Sequence, residues 1–427
     1  MTRLSRETFA GVREPDPVRI VHIGPGAFHR AHQAWYTEHA GDRWGIAAVC
    51  ARSSRPLEEL GQQGGLYSLF EHHEAGWQPS VVQSISSVED AAESSLVRLL
   101  ASPAVSVVTL TVTETGYAPS SHVIKRLALG LAERLRHDVG PIACCSLDNL
   151  PSNGKVLERA IKDALAETRP QALSSLDEQV SFPSSVVDRI TPRPTAADRA
   201  RAAAWLGLED WAVVATEAYS EWAFEDRFPA GRPAWERGGG RPVEDVGGFG
   251  LRKLRFLNAG HSALAYLGAL AGHRTVDEAI ADGTVALHVE GLFDEATRAL
   301  GATADGLGLE AYCKSLRVRW SDRIIAHELT QIAEDGVAKL SVRLAPTVTA
   351  LRTRSMPHHC VAVVAAFWDH LRGCSGMAIS PSDEAVARRC QQLSLDSARA
   401  LLGALQPELA DDGELAAAVL EESGRSR

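Results

Sequence analysis

Apolar residues along this chain recur with two periods, and the change from one to the other divides it. Up to about residue 243, short apolar runs rich in β-branched and small residues alternate with helical stretches: Val18–Ile23, Gly45–Ala51, Val105–Glu114, Ile142–Asp148 and Trp211–Glu217. Strands separated by helices predict a mostly parallel sheet. Between Gly231 and Gly250 the sequence fills with Gly, Pro and Arg without a clean period, so we place a junction there and divide the chain into 1–243 and 244–427. Beyond it helical spacing dominates, over Thr275–Ala281, Glu290–Leu300, Ser321–Ala333, Cys360–Leu371 and Asp383–Leu405.

The first strand, VRIVHI, runs directly into Gly24-Pro25-Gly26-Ala27-Phe28-His29-Arg30, after which the pattern turns helical. Strand, glycine turn, helix is the arrangement in which a backbone approaches a pyrophosphate at a helix N-terminus, with Arg30 close by. His29 stands where a third glycine would complete GxGxxG. The expected fold class is therefore α/β: an N-terminal Rossmann-type doubly wound domain followed by a mainly α-helical C-terminal domain. At the end of the second strand, where an adenosine ribose is met, Arg52 and Arg55 appear and no acid does, which admits NADP beside NAD. Two further strand ends are dense in polar groups: Thr113-Glu114-Thr115-Gly116-Tyr117, and Asp148-Asn149 with Asn153-Gly154. Ligands in open α/β sheets lie beyond such ends, so Thr113, Glu114 and Asp148 are expected at the cofactor, and Asn149 and Asn153 at the nicotinamide side or the reacting oxygen. Asp188 and Arg189 follow, either as an ion pair or as site groups.

The second half is organised around Leu251–Gly268, LRKLRFLNAGHSALAYLG, whose apolar residues surround the helix and leave three polar ones among them. At about 100° per residue, Asn258 and His261 fall about 140° and 80° round from Lys253, on roughly one side. A desolvated lysine loses its proton more readily and acts as a general base. Asn258 offers an amide N–H to an oxygen gaining charge, and His261 a ring nitrogen. Together they suit the oxidation of an alcohol.

Composition narrows the class. A chain of 427 residues with 45% hydrophobic and 23% charged residues is ordinary globular material, and a net charge of −10 without a basic stripe argues against nucleic acid. The seven cysteines show no CxxC pair and no metal-ligand spacing, and read as reduced thiols. No apolar run approaches the ~18 residues of a membrane span, and the first residues lack a signal-peptide core, so a cytoplasmic protein without membrane partners is expected. The oligomeric state, monomer or dimer, is left open.

Taken together, the glycine turn, the DN–NG pair, Val187-Asp188-Arg189-Ile190-Thr191-Pro192 and the KLRFLNAGHSALAYLG helix resemble the mannitol dehydrogenase family of polyol-specific long-chain dehydrogenases, which includes mannonate oxidoreductase (fructuronate reductase). The turn matches the family's GxGxFxRAH, and Phe228–Glu236, FPAGRPAWE, is similar to its FVAGRPxWE. The resemblance implies that Lys253 is the general base, that Asn258 and an asparagine of the DN–NG segment steady the alkoxide, and that His261 holds the substrate. It also implies metal-independent hydride transfer between NAD and a polyol, ketose or sugar acid.

Three positions depart from the pattern: Thr115 replaces a lysine, Gly250 stands where many members carry a glutamate near the base's proton route, and Gln331 stands where mannitol-type members have arginine. Glutamine there, followed by Lys339-Leu340-Ser341-Val342-Arg343, is similar to the mannonate branch, so Gln331, Lys339 and Arg343 are expected at the substrate, the two cations toward a carboxylate. The alternatives are a family enzyme confined to neutral polyols such as mannitol or arabinitol, and a nucleotide-sensing protein of the same fold without turnover.

Overall fold

A computed structural model of the chain describes residues 1–50, 55–90, 92–118 and 121–424, with the side chains of Glu114 and Thr115 outside that description. Of the expected site residues, Arg52 and the side chain of Glu114 thus lie outside the described residues. The chain forms two units, Met1–Gly247 and Gly248–Arg427.

In the first unit the described strands are, in chain order, β1 (Val18–Ile23), β2 (Gly45–Val49), β3 (Tyr67–His73), β4 (Gly76–Val82), β5 (Ile85–Glu89) and β6 (Val107–Leu110). They continue with β7 (Ile142–Ser146), β8 (Val180–Ser181), β9 (Ser185–Asp188), β10 (Val214–Glu217), β11 (Glu221–Glu225) and β12 (Arg241–Val243). Six pair in parallel in the order β5-β2-β1-β6-β7-β8. Renumbered among themselves they read 3-2-1-4-5-6, the doubly wound order, whose direction reverses between β1 and β6. The alternation of side chains splits each strand between two cores. Val21, Ile23, Ala47, Val49, Val108 and Leu110 face helices on one side, and Ile20, Ile46, Ala48 and Val107 face Tyr36, Trp222 and Trp235 on the other. With both faces covered, the strands read as continuous apolar runs.

One expected strand sits elsewhere. Of Trp211–Glu217 only Val214–Glu217 is extended, and it pairs in parallel with β3 in a separate sheet, β10-β3-β4. The buried Asp210 carboxylate explains the placement. It accepts hydrogen bonds from the Ser68 N–H (2.6 Å) and from the Gln63 side chain (2.8 Å), tying the approach to β10 to the start of β3. A third sheet, β12-β11-β9, completes the unit.

The second unit is helical, with no named strand among its described residues. Ala259–Leu270 lies at its centre, packed against Val276–Ala281, Gly283–Leu300, Leu329–Ala333, Gly336–Arg343 and His358–Leu371. Missing side chains make this possible: a Cβ at Gly268 would press on Ala279 and Leu329, and one at Gly260 would collide with the Trp320 ring. The helix expected over Ser321–Ala333 is a correction. Leu309–Trp320 ends there, and only Leu329–Ala333 is helical. Asp322 is the physical reason, because its carboxylate accepts from the N–H groups of Ile324 (2.9 Å) and Ile325 (3.4 Å), a local turn that competes with the helix. Ala326 then adopts φ +40°, and the chain re-enters by pairing Thr275 with Glu328.

Candidate active site

In the first unit the two glycines of the turn have different reasons. Gly24 has φ +97°, and a Cβ there would collide with the Thr111 carbonyl on the neighbouring strand end, so this glycine serves the fold. At Gly26 an added Cβ would meet only the Gly24 oxygen, at 4.0 Å, so its missing side chain keeps space open. That space belongs to a cleft of about 320 Å³ walled by Gly26, Ala27, Arg55, Arg193, Arg199 and Trp211. Arg30 reaches the same cleft, but its guanidinium is tied to carbonyl oxygens, those of Ala212 and of Gly26 (3.3 Å). Carbonyls do not neutralise a guanidinium, and among the described residues Glu59, paired with Arg55 at 2.9 Å, is the one acid on the wall, so the cleft is cationic and suits phosphate. Phe28 points elsewhere, stacking on His32 at 5.6 Å. These residues fit the pyrophosphate end of a dinucleotide. Arg193 and Arg199 lie far from the glycine turn in sequence, and no spacing signal joins them to it.

Several of the polar strand-end residues hold the backbone. Asp148 accepts from the Val112 and Thr113 N–H groups, both at 2.9 Å, and from the Tyr117 hydroxyl at 2.6 Å. It thereby fixes the end of β6, where Thr113 takes φ +64°, an uncommon conformation for a residue with a Cβ. Burial and that carboxylate push the Tyr117 hydroxyl far up, so it stays protonated and donates. Asn153 donates to the carbonyls of Asp148 (3.0 Å) and Ser185 (2.9 Å), and its oxygen accepts from the Ser185 N–H (2.9 Å). Its amide is used inside the fold. Asn149, exposed just beyond β7, is the asparagine presented outward. Of the two readings of Asp188 and Arg189, the ion pair between them is not formed, because Arg189 pairs with Glu71 instead. Arg189 bonds to Glu71, to the Ala31 carbonyl (2.6 Å) and to the Glu217 carbonyl (3.2 Å) beside the Trp35 ring, as a buried strut. Asp188, at the end of β9, is buried at 1% exposure.

The second unit gathers its groups on one helix. Gly247–Arg252 and Ala259–Leu270 are joined by a π-helical stretch, Lys253–Asn258. This corrects the uniform α-helical projection, in which positions five apart diverge. In π geometry residue i bonds to i+5, which brings Asn258 one turn above Lys253. Asn258 and His261, three apart where the α-helix resumes, share that face. The wide turn is held from outside. Arg343 donates to the Asn258 carbonyl (3.2 Å) and to Ser262 Oγ (3.1 Å), and Arg255 donates back to the carbonyls of Val342 (3.1 Å) and Arg343 (3.2 Å). Arg343 therefore braces the π stretch. Lys339 donates to the Ile332 carbonyl at 3.1 Å, and Gln331 is half-buried on Leu329–Ala333.

His261 is buried, and its Nε2 has no hydrogen-bond partner. Burial first, and then the neighbouring His327, Arg343, Arg319 and Lys253, hold its pKa well below the usual range. It is a neutral imidazole in a positive field. His327, which the helical reading of Ser321–Ala333 obscured, stands edge-on to it with ring centroids 5.6 Å apart. Among the described residues no group of three or more His, Cys, Asp or Glu could hold a metal ion, and no helix is long and apolar enough to cross a membrane.

Residues 18–237 match the model of the mannitol dehydrogenase Rossmann domain, and residues 245–422 that of the mannitol dehydrogenase C-terminal domain. D-mannonate oxidoreductase of Escherichia coli is 32% identical over 437 residues, 92% of this chain and 89% of that protein. D-arabinitol 4-dehydrogenase of Ralstonia nicotianae is 34% identical over 382 residues, 82% of each. The ternary complex of Pseudomonas fluorescens mannitol 2-dehydrogenase with NAD and D-mannitol superposes with a TM-score of 0.85 at 29% identity, covering 99% of this chain and 94% of that one. The chain belongs to the mannitol dehydrogenase family.

Proposed function

We propose that this protein is a dehydrogenase that interconverts a secondary alcohol of a polyol or sugar acid with the corresponding ketone, using NAD. The observation that carries the reading is the π-helical stretch that aligns Lys253, Asn258 and His261 on one face of a buried helix. A bound nicotinamide supplies the hydride acceptor in oxidation and the donor in reduction. Lys253 takes the hydroxyl proton as the alcohol is oxidised and returns it on reduction. Asn258 donates to the oxygen as it gains charge, and neutral His261 holds a substrate oxygen without titrating. Thr113 and the Gly26 cleft serve the cofactor, where Arg55, Arg193 and Arg199 supply charge enough to tolerate a 2′-phosphate.

Cations are the charged neighbours that bear on the two histidines, Lys253, Arg319 and Arg343 on His261 and Lys339 on His327. That field favours an alkoxide, and it extends the substrate class to sugar acids, with Lys339 as the cation for the carboxylate. The protein acts in the cytoplasm on small molecules. Steady-state assay of D-mannitol, D-arabinitol and D-mannonate with NAD and NADP tests the reading. Turnover of at least one with NAD is expected, with a cofactor preference below about a hundredfold, or roughly 2.7 kcal/mol. Absence of turnover on all of them contradicts it.

A further inference from the structure

His261 and His327 form a pair that the alignment of Lys253, Asn258 and His261 does not account for. The rings stand at 90° with centroids 5.6 Å apart, and each keeps one buried nitrogen without a partner, Nε2 on His261 and Nδ1 on His327. A buried polar atom left unpaired is costly, and although His288 and His359 also stand edge-on with an unpaired nitrogen each, it is the His261 pair on which Lys253 bears. The backbone under His327 is held with unusual care. Ala326, immediately before it, sits at φ +40°, a strained conformation for a residue with a Cβ. The next residues are clamped, since the Val276 N–H donates to the His327 carbonyl (2.9 Å) and the Leu329 N–H to the Arg274 carbonyl (2.9 Å). Trp320 closes the other side of His261, at 5.5 Å.

Two roles suit such a pair: passing a proton, or holding hydroxyl groups. Burial, with Lys339 adding to it, lowers His327 to about 4, and burial with its cationic neighbours keeps His261 low as well. Imidazoles that do not gain a proton near neutral pH are poor relays. A neutral imidazole instead presents one fixed donor and one fixed acceptor, and a hydroxyl answers either.

Building on the dehydrogenase reading, we infer that His327 is a second substrate-reading residue: His261 and His327 engage two neighbouring hydroxyls, so the site selects a substrate hydroxylated beside the carbon being oxidised. Selectivity of this kind is strong because an analogue without the hydroxyl leaves a buried nitrogen unpaired.

The test compares the substrate that the wild type oxidises best, among D-mannitol, D-arabinitol and D-mannonate, with its mono-deoxy analogues at the two carbons flanking the oxidised one. His327→Phe keeps the ring packing and removes both nitrogens, and His327→Ala serves if the phenylalanine does not fold. The expected result is a loss of tenfold or more in kcat/KM on the parent substrate, mostly through KM, and less than twofold on one of the deoxy analogues. The wild type should disfavour that same analogue by tenfold or more. Equal losses on parent and both analogues, or no loss on any, overturn the assignment of His327 while leaving the dehydrogenase reading intact. A wild type that oxidises none of the parent substrates overturns that reading and this inference with it.

Discussion

Three polar side chains expected at the site in the first unit and two histidines of the second use their hydrogen-bonding groups in opposite ways. In the first, Asp148, Asn153 and Arg189 stand where a ligand is expected, yet they hydrogen-bond within the protein, largely to its backbone. In the second, buried His261 and half-buried His327 each leave a buried ring nitrogen without a partner. Buried polar groups are paired as a rule, so the first kind builds the scaffold and the second kind marks a place that a ligand completes. Nearness to a strand end is thus a weaker sign of chemistry than an unanswered hydrogen bond.

The strongest way to break that comparison is at Lys253. Replacing it with alanine is expected to lower kcat by about 10²–10⁴ with cofactor affinity unchanged, since proton transfer in the transition state contributes about that much. Steady-state kinetics and a cofactor titration by tryptophan fluorescence check it.

The asparagines sharpen the comparison directly. Asn153→Ala removes three internal hydrogen bonds and is expected to destabilise the protein by about 2–3 kcal/mol, as an orphaned buried network does. Asn149→Ala is expected to lower kcat with little change in stability. Denaturant unfolding and kcat, measured on both variants, reverse the assignment if the effects are exchanged.

Acid probes the scaffold of the first unit. His22 bonds to Thr109 Oγ1 (2.8 Å) and Thr111 Oγ1 (3.1 Å), and burial holds it down at about 3, against the 6.5 of a free imidazole. As pH falls below 6.5 the unfolded chain binds a proton that the folded chain refuses. The stability due to His22 is therefore complete above pH 6.5 and is lost progressively down to about pH 3. Between pH 7 and pH 5 the expected loss is about 2 kcal/mol. Urea unfolding at the two values measures it, and equal stability would contradict it.

The smallest effect separates Arg343 from Lys339. Because Arg343 braces the π stretch, Arg343→Ala should impair a neutral polyol and a sugar acid alike. Lys339→Ala should raise KM for the acid more, by about tenfold, which is the worth of one modest charge-assisted contact. Measured KM values for D-mannitol and D-mannonate distinguish the two.

What was legible in the sequence followed from local rules. β1, its glycine turn and the parallel strands beside it could be read because strands buried on both faces are continuous apolar runs. Lys253, Asn258 and His261 stood out because polar residues interrupt an apolar helix. The rest depended on partners distant in sequence. The β3–β4 hairpin carries Glu71, His72 and His73 in place of a clean alternation, and β10 joins it through Asp210. The π stretch is braced by Arg343 from another helix, and the turn that exposes His327 depends on one carboxylate, that of Asp322. None of these leaves a periodic trace.

Chemical rescue of Lys253→Ala tests the central claim most directly. With a saturating polyol or sugar acid and NAD, added methylamine should raise kcat in proportion to the concentration of its unprotonated form, because a free amine then accepts the proton that the lysine would have taken. A folded, cofactor-binding Lys253→Ala protein that keeps near-wild-type turnover, or that gains nothing from the amine, would contradict the assignment of Lys253 as the base.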